Sequence, residues 1–297
     1  MKKKTLGVVI TAVVLIVAGT SLCIGGVAAA GGVDAAKDAI FRSGIDFSHI
    51  YTIEKDEDGW DIDFDGREHE RKSYLNNKQS LTGIDDVIGL ELEVGAAEVE
   101  FVTDSAATEI TVQASDNFNV YVKNKVLHVN SKSIAKNENV KIEIPQDTVF
   151  ENVEIQGNAC EIVIPYIEAR QFDVETDAGS VVIDELISEQ AEFDVDAGEI
   201  VVNNGSIVNC EVNVGVGNFE YCGNITKYGD VEVGMGNAEF YLDANENDYN
   251  YEIECGAGNV TVGDSDYSGL SVKKMINNNA DAVVEVDCGV GNVTIEF

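Results

Sequence analysis

The sequence predicts an all-β protein, a parallel β-solenoid (β-helix) of about eight rungs preceded by a transmembrane helix. Apolar and polar residues alternate from about Ile88 onward, a pattern typical of strands with one buried face. A strand–corner–strand motif recurs at intervals of 19–22 residues over much of this region. The 297 residues include 28 glycines and two prolines, a balance that suits many tight corners and few rigid linkers.

Residues 1–33 predict a membrane anchor. Three lysines precede the stretch from Leu6 to Gly32, which has no charged side chain and exceeds the ~20 residues needed to cross a bilayer. The lysines place the N-terminus in the cytoplasm and the C-terminal domain outside the membrane. A signal peptide is the alternative, because residues 27–32 offer small side chains for cleavage, although its apolar region is usually only about 7–15 residues.

The charge balance excludes nucleic acid as a partner. All 54 acidic residues follow the predicted anchor together with 16 of the 19 basic ones, so this part of the chain has a net charge of −38. Such a field repels nucleic acid and anionic lipid headgroups and attracts cations or basic partners.

Residues 34–84 predict a charged stalk between the membrane and the folded domain. This segment contains the only tryptophan and one short hairpin signal, around Asp58-Gly59. The solenoid is expected to span residues 85–297. It opens with alternating strands at 90–102, 108–114, 118–130 and 140–145, and no helical period follows.

The repeat itself predicts a solenoid. Its corner residues are Ser180, Glu199, Asn218, Asn237, Asn259 and Asn292, at intervals of 19, 19, 19, 22 and 33. One repeat cannot cover its own apolar row, but repeats stacked about 4.8 Å apart bury equivalent residues against each other. With each repeat stacked on the one before it, the expected inward column is Val195, Val214, Val233, Cys255 and Cys288. The 33-residue interval predicts an inserted loop within residues 264–282.

The Gly-x-Gly-Asn corners are interpreted as structural. Glycine adopts positive φ without penalty, and asparagine tolerates the left-handed region and can hydrogen bond along a stack. The corner residues are Gly215, Gly217, Asn218, Gly234, Gly236, Asn237, Gly256, Gly258, Asn259, Gly289, Gly291 and Asn292.

The order of strands resembles a known family. The stretch "KIEIPQDTVFENVEIQGNACEIVIPYIEARQFDVETDAGSVVID" (141–184), followed by copies of V-x-V-G-x-G-N-V-x-I, resembles the DUF4097 family of β-strand-repeat proteins. The resemblance covers roughly residues 85–297. It implies an extracytoplasmic, membrane-tethered β-solenoid of the kind often labelled "putative adhesin" and common in bacteria with a single membrane. The family has no assigned catalytic residues, so the resemblance implies none here.

Outward acidic residues are the sharpest candidates for a binding function. One column is predicted to hold Asp194, Glu211, Glu232, Glu254 and Asp287, and a second Glu192, Asp230, Glu252 and Glu285. Stacked carboxylates repel each other, which Ca²⁺ would relieve, and the candidate calcium ligands are Glu232, Glu254, Asp287, Glu252 and Glu285. The alternative is a solvated acidic face without a defined metal site. No other cofactor is expected.

The cysteines give no redox or zinc motif. Cys255 and Cys288 are expected at equivalent inward positions in consecutive repeats, either as buried thiols or as a disulfide with poor geometry. No Cys/His spacing of a zinc site is present.

The sequence favours a non-catalytic module at the cell envelope that acts in adhesion or scaffolding through an unknown protein or glycan partner. The open alternatives are an accessory protein in envelope-stress sensing, a calcium-stabilised rod, and a glycan-active β-helix enzyme. From residue 150 onward only Arg170, Lys227, Lys273 and Lys274 are basic, and no catalytic motif appears. The terminal "VTIEF" (293–297) is expected at the end of the coil, capped by Phe297 or open for pairing.

Overall fold

The computed structural model describes residues 52–56, 59–63, 79–84, 87–131, 138–267 and 269–297. The chain divides into two compact units, Met1–Tyr74 and Leu75–Phe297. The predicted membrane span lies outside the described residues, as does most of the predicted stalk. Within the described residues no helix is both long enough and apolar enough to cross a membrane.

The described part of the chain is built from strands. A hairpin of two antiparallel strands belongs to the first unit, and the remaining strands join one large sheet in the second. One 3-10 turn, Glu246–Asp248, precedes β18. The strands are β1 Thr52–Asp56, β2 Gly59–Asp63, β3 Gln79–Ile84, β4 Gly89–Val94, β5 Ala97–Asp104, β6 Ile110–Ala114, β7 Phe118–Lys123, β8 Val126–Ser131, β9 Glu138–Pro145, β10 Val149–Gly157, β11 Glu161–Ile164, β12 Ile167–Thr176, β13 Ser180–Ile183, β14 Leu186–Val195, β15 Glu199–Val214, β16 Asn218–Val233, β17 Asn237–Leu242, β18 Tyr249–Cys255, β19 Asn259–Val262, β20 Ser265–Asp266, β21 Val272–Ile276, β22 Ala282–Cys288 and β23 Asn292–Glu296.

The second unit is a parallel coil, as the alternation predicts. In each rung a strand runs to a corner and another strand leaves it, and strands at equivalent positions pair in parallel. We call the side formed by strands that enter the corner face A, and the side formed by strands that leave it face B. Eight rungs of this kind are described: β4/β5, β10/β11, β12/β13, β14/β15, β15/β16, β16/β17, β22/β23 and β18/β19. β8 and β9 continue the two faces beyond β4 and β5, and the residues that join them lie outside the described ranges.

Each rung also bends a second time. The alternation of buried and exposed residues changes phase where two consecutive side chains point outward, at Arg170-Gln171 in β12 and at Glu189-Gln190 in β14. The register of β10 with β12 skips one residue at the same bend. A 19-residue rung therefore holds three short inward rows, which together enclose the core.

The rungs do not stack in sequence order at the C-terminal end. β22 pairs in parallel with β16 on one side and with β18 on the other, and β23 lies in the same way between β17 and β19. The inward column therefore runs Val233, Cys288, Cys255, and the expectation that each repeat stacks on the one before it is wrong here. "VTIEF" forms neither an end cap nor an open edge, because β23 is paired along both edges.

The N-terminal end also departs from sequence order. β4 lies between β8 and β10, and β5 lies between β9 and β11, so the first rung in the sequence is not the outermost layer of the coil. At the C-terminal end the chain passes one rung position and returns to fill it, whereas at the N-terminal end β8/β9 is added outside β4/β5 before the chain continues on the other side with β10/β11.

Antiparallel strands cover the outermost rungs. β7 pairs with β8 through a hairpin whose turn residues, Asn124 and Lys125, have φ of 52° and 65°. β6 pairs with β9 and with β3, so strand Gln79–Ile84, predicted to be stalk, belongs to the coil. At the opposite end β21 pairs with β18, and β20 pairs with β19. Both β20 and β21 lie within residues 264–282, where the sequence predicts an inserted loop.

The interior of the coil is apolar. Among the described residues only Thr176 and Ser188 are buried polar side chains, and both make local hydrogen bonds. Phe172, Phe193 and Phe219 form a row of tilted rings with centroids 6.1 and 5.0 Å apart. Charged side chains of the described residues are thus directed to the outside of the coil.

Candidate functional site

Two columns of acidic side chains run along face A. They occupy the two outward positions of each strand before the corner, in eight consecutive rungs from β4 to β18, and fourteen of the sixteen positions are aspartate or glutamate. In spatial order the column nearer the corner is Glu93, Gln156, Glu175, Asp194, Asn213, Glu232, Asp287 and Glu254, and the second column is Glu91, Glu154, Asp173, Glu192, Glu211, Asp230, Glu285 and Glu252. We call these sixteen positions the acidic face.

The structure corrects the sequence assignment of one residue and adds several. Glu211 pairs in register with Glu192 and Asp230, so it belongs to the second column, and Asn213 takes its place in the first. The acids of β4, β10 and β12 were missed by the sequence analysis. Counting back 19 residues from Glu192 and Asp194 leads to Asp173 and Glu175, so the repeat length alone was a sufficient signal for those two.

A basic side chain contacts the acidic face at each of its two ends. At one end His128 of β8 lies in register with Glu91, with its Nδ1 3.0 Å from Glu91 Oε2. At the other end Lys273 of β21 contacts Glu254. Along the eight rungs between, the two columns hold carboxyl groups and two amides, and every rung has at least one carboxyl group.

Several of these carboxyl groups have a pKa above their ordinary value. Partial burial is the largest cause of the raised pKa at Asp173, Glu192 and Asp230, and repulsion from neighbouring carboxylates adds to it. Asp173 and Glu192 lie directly in register on neighbouring rungs. Tyr228 donates to Asp230 across 3.3 Å. The face therefore stores electrostatic repulsion that a bound cation would relieve.

A shallow groove of about 500 Å³ lies between the acidic face and the corners. Its wall includes the carboxylates of Asp194, Glu232 and Asp287, and its floor includes the glycines that open three successive corners, Gly215, Gly234 and Gly289. A second hollow of about 150 Å³ lies among the acids of β10, β12 and β14. The groove therefore extends over five rungs, from the rung of Glu175 to the inserted rung of Asp287.

The corner glycines have a different role from the one expected. None of those in the predicted corners has φ in the positive region, so the argument from left-handed conformation is wrong. The second glycine of each corner is required by close approach between rungs instead: a Cβ on Gly236 would lie 2.2 Å from the carbonyl oxygen of Gly217. The corner asparagines form an amide ladder, in which Asn237 donates to Asn218, Asn292 to Asn237 and Asn259 to Asn292 over 2.9, 2.7 and 2.7 Å.

The five candidate calcium ligands lie together. Glu232, Asp287 and Glu254 are neighbours in one column, and Glu285 and Glu252 are neighbours in the other. Within the described residues, no group of three or more His, Cys, Asp or Glu side chains has a metal-binding arrangement. Calcium binding by these residues stays a prediction.

The cysteines of the described residues are free thiols, and four of the five are buried. Cys255 and Cys288 are directly in register. Burial raises the pKa of the Cys288 thiol to about 11, and its Sγ donates to the carbonyl oxygen of Gly291 over 3.2 Å. Such thiols are unreactive and pack as small apolar side chains.

The comparisons with known proteins place the chain in a family. The family model described as Toastrack DUF4097 matches residues 103–296. The chain belongs to the DUF4097 family. This match confirms the resemblance carried by the "KIEIP" strand and the Gly-x-Gly-Asn corners. No curated protein matches the sequence.

Solved structures similar to this DUF4097 chain come from bacteria. A "putative adhesin" from Parabacteroides distasonis is 14% identical, with 73% of this chain and 95% of that chain covered and a TM-score of 0.37. A "putative adhesin" from Parabacteroides merdae is 15% identical, with 73% and 95% covered and a TM-score of 0.34. A "putative cell adhesion protein" from Clostridium sporogenes is 14% identical, with 74% and 99% covered and a TM-score of 0.31. At these TM-scores the likenesses carry no argument, and the family assignment depends on the sequence match.

Proposed function

We propose that this protein is a non-catalytic binding module on the outer side of a cell membrane, and that the acidic face is its binding surface for cationic partners. The observation that carries the proposal is the second column of the acidic face, which has a carboxyl group in each of its eight rungs, beside a first column with six more. A stable coil does not need fourteen like charges in two columns, since directly opposed like charges on neighbouring strands are destabilising. Retaining this repulsion is consistent with a surface selected for binding.

The field of the acidic face decides the class of partner. A flat array of one sign raises the local concentration of counter-charged molecules and speeds their association. Polyanions such as nucleic acid or anionic polysaccharide are repelled by it. Basic proteins and amine-bearing glycans are the envelope components that fit, and adhesion or scaffolding is the role that such contacts support.

The location outside the membrane is supported by the sequence. The lysines before the uncharged stretch 6–32 favour an N-terminus in the cytoplasm, and the acidic domain follows that stretch. The proposal can be checked separately by adding protease to intact cells, which should degrade the solenoid from outside while a cytoplasmic control protein survives.

A polycation titration tests the acidic face. Full-length protein is titrated with fluorescent poly-L-lysine at low and physiological salt, alongside the variant Glu211→Gln/Asp230→Asn/Glu285→Gln. A matched control removes three charges elsewhere, in Glu100→Gln/Glu143→Gln/Glu220→Gln. Wild type and the control should bind in a salt-dependent way, and the acidic-face variant should bind at least about tenfold more weakly, since each close charge pair lost costs of the order of 1 kcal/mol. Equal weakening by both variants would show a net-charge effect and contradict a dedicated face.

A turnover assay tests the absence of catalysis. The protein is incubated with cell-wall polysaccharides, and released reducing ends are measured against a buffer blank. We expect no release. Release that disappears when single acidic residues are replaced by their amides would overturn the non-catalytic assignment.

A further inference from the structure

A ridge of large apolar side chains borders the acidic face. The middle residue of each corner points outward, and its backbone N–H donates to the rung beneath, as from Met235 to Gly215 and from Val290 to Gly234, both over 2.8 Å. In most rungs this residue is alanine, but in three neighbouring rungs it is Val216, Met235 and Val290. Val216 is 52% exposed and Val290 61% exposed, and Met235 between them is half-buried. We call these three residues the corner ridge.

The corner ridge exists only because the rungs stack out of sequence order. Along the sequence Ala257 separates Met235 from Val290, but in space the rung of Val290 lies next to that of Met235 and the rung of Ala257 lies beyond it. The insertion of β22/β23 therefore brings three bulky apolar residues side by side, with alanine on either side. A scatter of unrelated surface residues would not be expected to group in this way.

The corner ridge and the acidic groove are parts of one surface. Each ridge residue directly follows a glycine of the groove floor: Gly215, Gly234 and Gly289. The groove is also lined by the outward residue that lies two positions before each of these glycines: Asn213, Glu232 and Asp287. An apolar stripe and an acidic stripe thus run in parallel along the coil axis.

We propose that this surface binds a cationic amphipathic α-helix, with its apolar stripe on the corner ridge and its Lys/Arg stripe in the acidic groove. The proposal rests on the proposed function and narrows its class of partner. Charge complementarity requires that the bound partner be positively charged. A second copy of this chain, with a net charge of −35, would be repelled.

The repeat distance selects a helix over an extended peptide. Rungs recur about every 4.8 Å, and one face of a helix presents a side chain about every 5.4 Å, so the two remain in register over three rungs to within about 2 Å. Side chains on one face of an extended strand recur about every 6.8 Å and lose register within two rungs. The groove is also on the face of the sheet, where no unpaired strand edge is available for β-augmentation.

Two synthetic peptides of the same composition test the proposal. One is an 18-residue helix with a leucine stripe beside a lysine stripe, and the other contains the same residues scrambled so that no stripe forms. Each is labelled and titrated with the full-length protein by fluorescence anisotropy. We expect the striped peptide to bind at least about tenfold more tightly than the scrambled one.

Protein variants test whether the corner ridge causes the difference in affinity between the two peptides. Val216→Ala/Met235→Ala/Val290→Ala gives these rungs the residue that other corners already have, and Val149→Ala/Leu270→Ala removes exposed apolar side chains elsewhere. The ridge variant should lose most of the preference for the striped peptide, while the control keeps it. If the triple variant melts earlier than wild type, Val290→Ala alone is used, with a smaller loss expected.

The outcomes separate this inference from the proposed function. If both peptides bind equally and the acidic-face variant binds neither, the proposed role of the corner ridge is wrong, but the proposed function of the acidic face is retained. A preference for the striped peptide that survives in the ridge variant would also overturn the inference. Absence of binding by both peptides and by poly-L-lysine would overturn both proposals.

Discussion

Individual residues at the corners decide whether the rungs can stack. The second glycine is needed because the backbone of the next rung occupies the space of a side chain, and not because of an unusual φ. The neighbouring asparagines satisfy each other by passing amide hydrogens along the ladder. The sequence identified the right residues, but close approach is a property of the stack and is invisible in a single repeat.

The replacement Gly236→Ala should be strongly destabilising. The new Cβ would lie 2.2 Å from the Gly217 carbonyl oxygen, which is backbone and can yield only by separating the rungs. Overpacking of this kind costs about 1–3 kcal/mol. The control is Gly229→Ala, where the nearest atom, in Val284, is 3.6 Å from the new Cβ. Thermal unfolding followed by circular dichroism should show a clear loss for the first variant only, and equal loss in both would contradict this explanation.

The raised pKa of Asp173, Glu192 and Asp230 predicts an unusual dependence of stability on pH. A carboxyl group whose pKa is higher in the folded state binds its proton more tightly there, so its contribution to stability is present below the unfolded pKa and lost as pH rises through the folded pKa. The melting temperature should therefore rise as pH falls from about 7.5 towards 5.

A variant pair isolates the acidic face as the cause of this pH dependence. Asp173→Asn should raise the melting temperature at neutral pH and flatten the pH profile, whereas the same change at the exposed Asp281, outside the acidic face, should do neither. A melting temperature that falls on acidification in the wild type would show that stacked carboxylates do not dominate.

At the scale of elements, the least expected feature is the position of the last rung. β22 and β23 are at the end of the described chain but in the interior of the stack, with parallel partners on both edges. The sequence shows a 33-residue interval before this rung, which indicates an insertion. The sequence does not show on which side of β18/β19 this rung lies. The rungs β16/β17 and β18/β19 have the same Gly-x-Gly-Asn corner, so either order of stacking fits the pattern.

Amide hydrogen exchange should reveal the interior position of β23. Its backbone amides, from Asn292 to Ile295, are expected to exchange as slowly as those of β13, Ser180–Ile183, since both stretches are paired along two edges. The edge strand β21, Val272–Ile276, should exchange much faster. If β23 exchanged at the rate of β21, it would lie at an edge and the inserted position would be wrong.

At the scale of the whole molecule, the coil separates apolar interior from acidic exterior. Alternation and repeat length predicted the β-solenoid, the core residues and the existence of outward acid columns. They did not predict the full length of the acidic face or the corner ridge, because both depend on the register between rungs that are distant in sequence. Val290 and Met235 are 55 residues apart in the sequence and become neighbours only through the inserted rung.

Paired-cysteine crosslinking tests the stacking order, on which the acidic groove and the corner ridge both depend. Two double variants, Glu232→Cys/Asp287→Cys and Glu232→Cys/Glu254→Cys, are treated with a short thiol-specific crosslinker in a Cys222→Ser background. Asp287 lies in register with Glu232, whereas Glu254 lies one rung further away. The first pair should crosslink readily and the second should not. Efficient crosslinking of Glu232→Cys with Glu254→Cys, and none with Asp287→Cys, would restore sequence-order stacking and contradict the account.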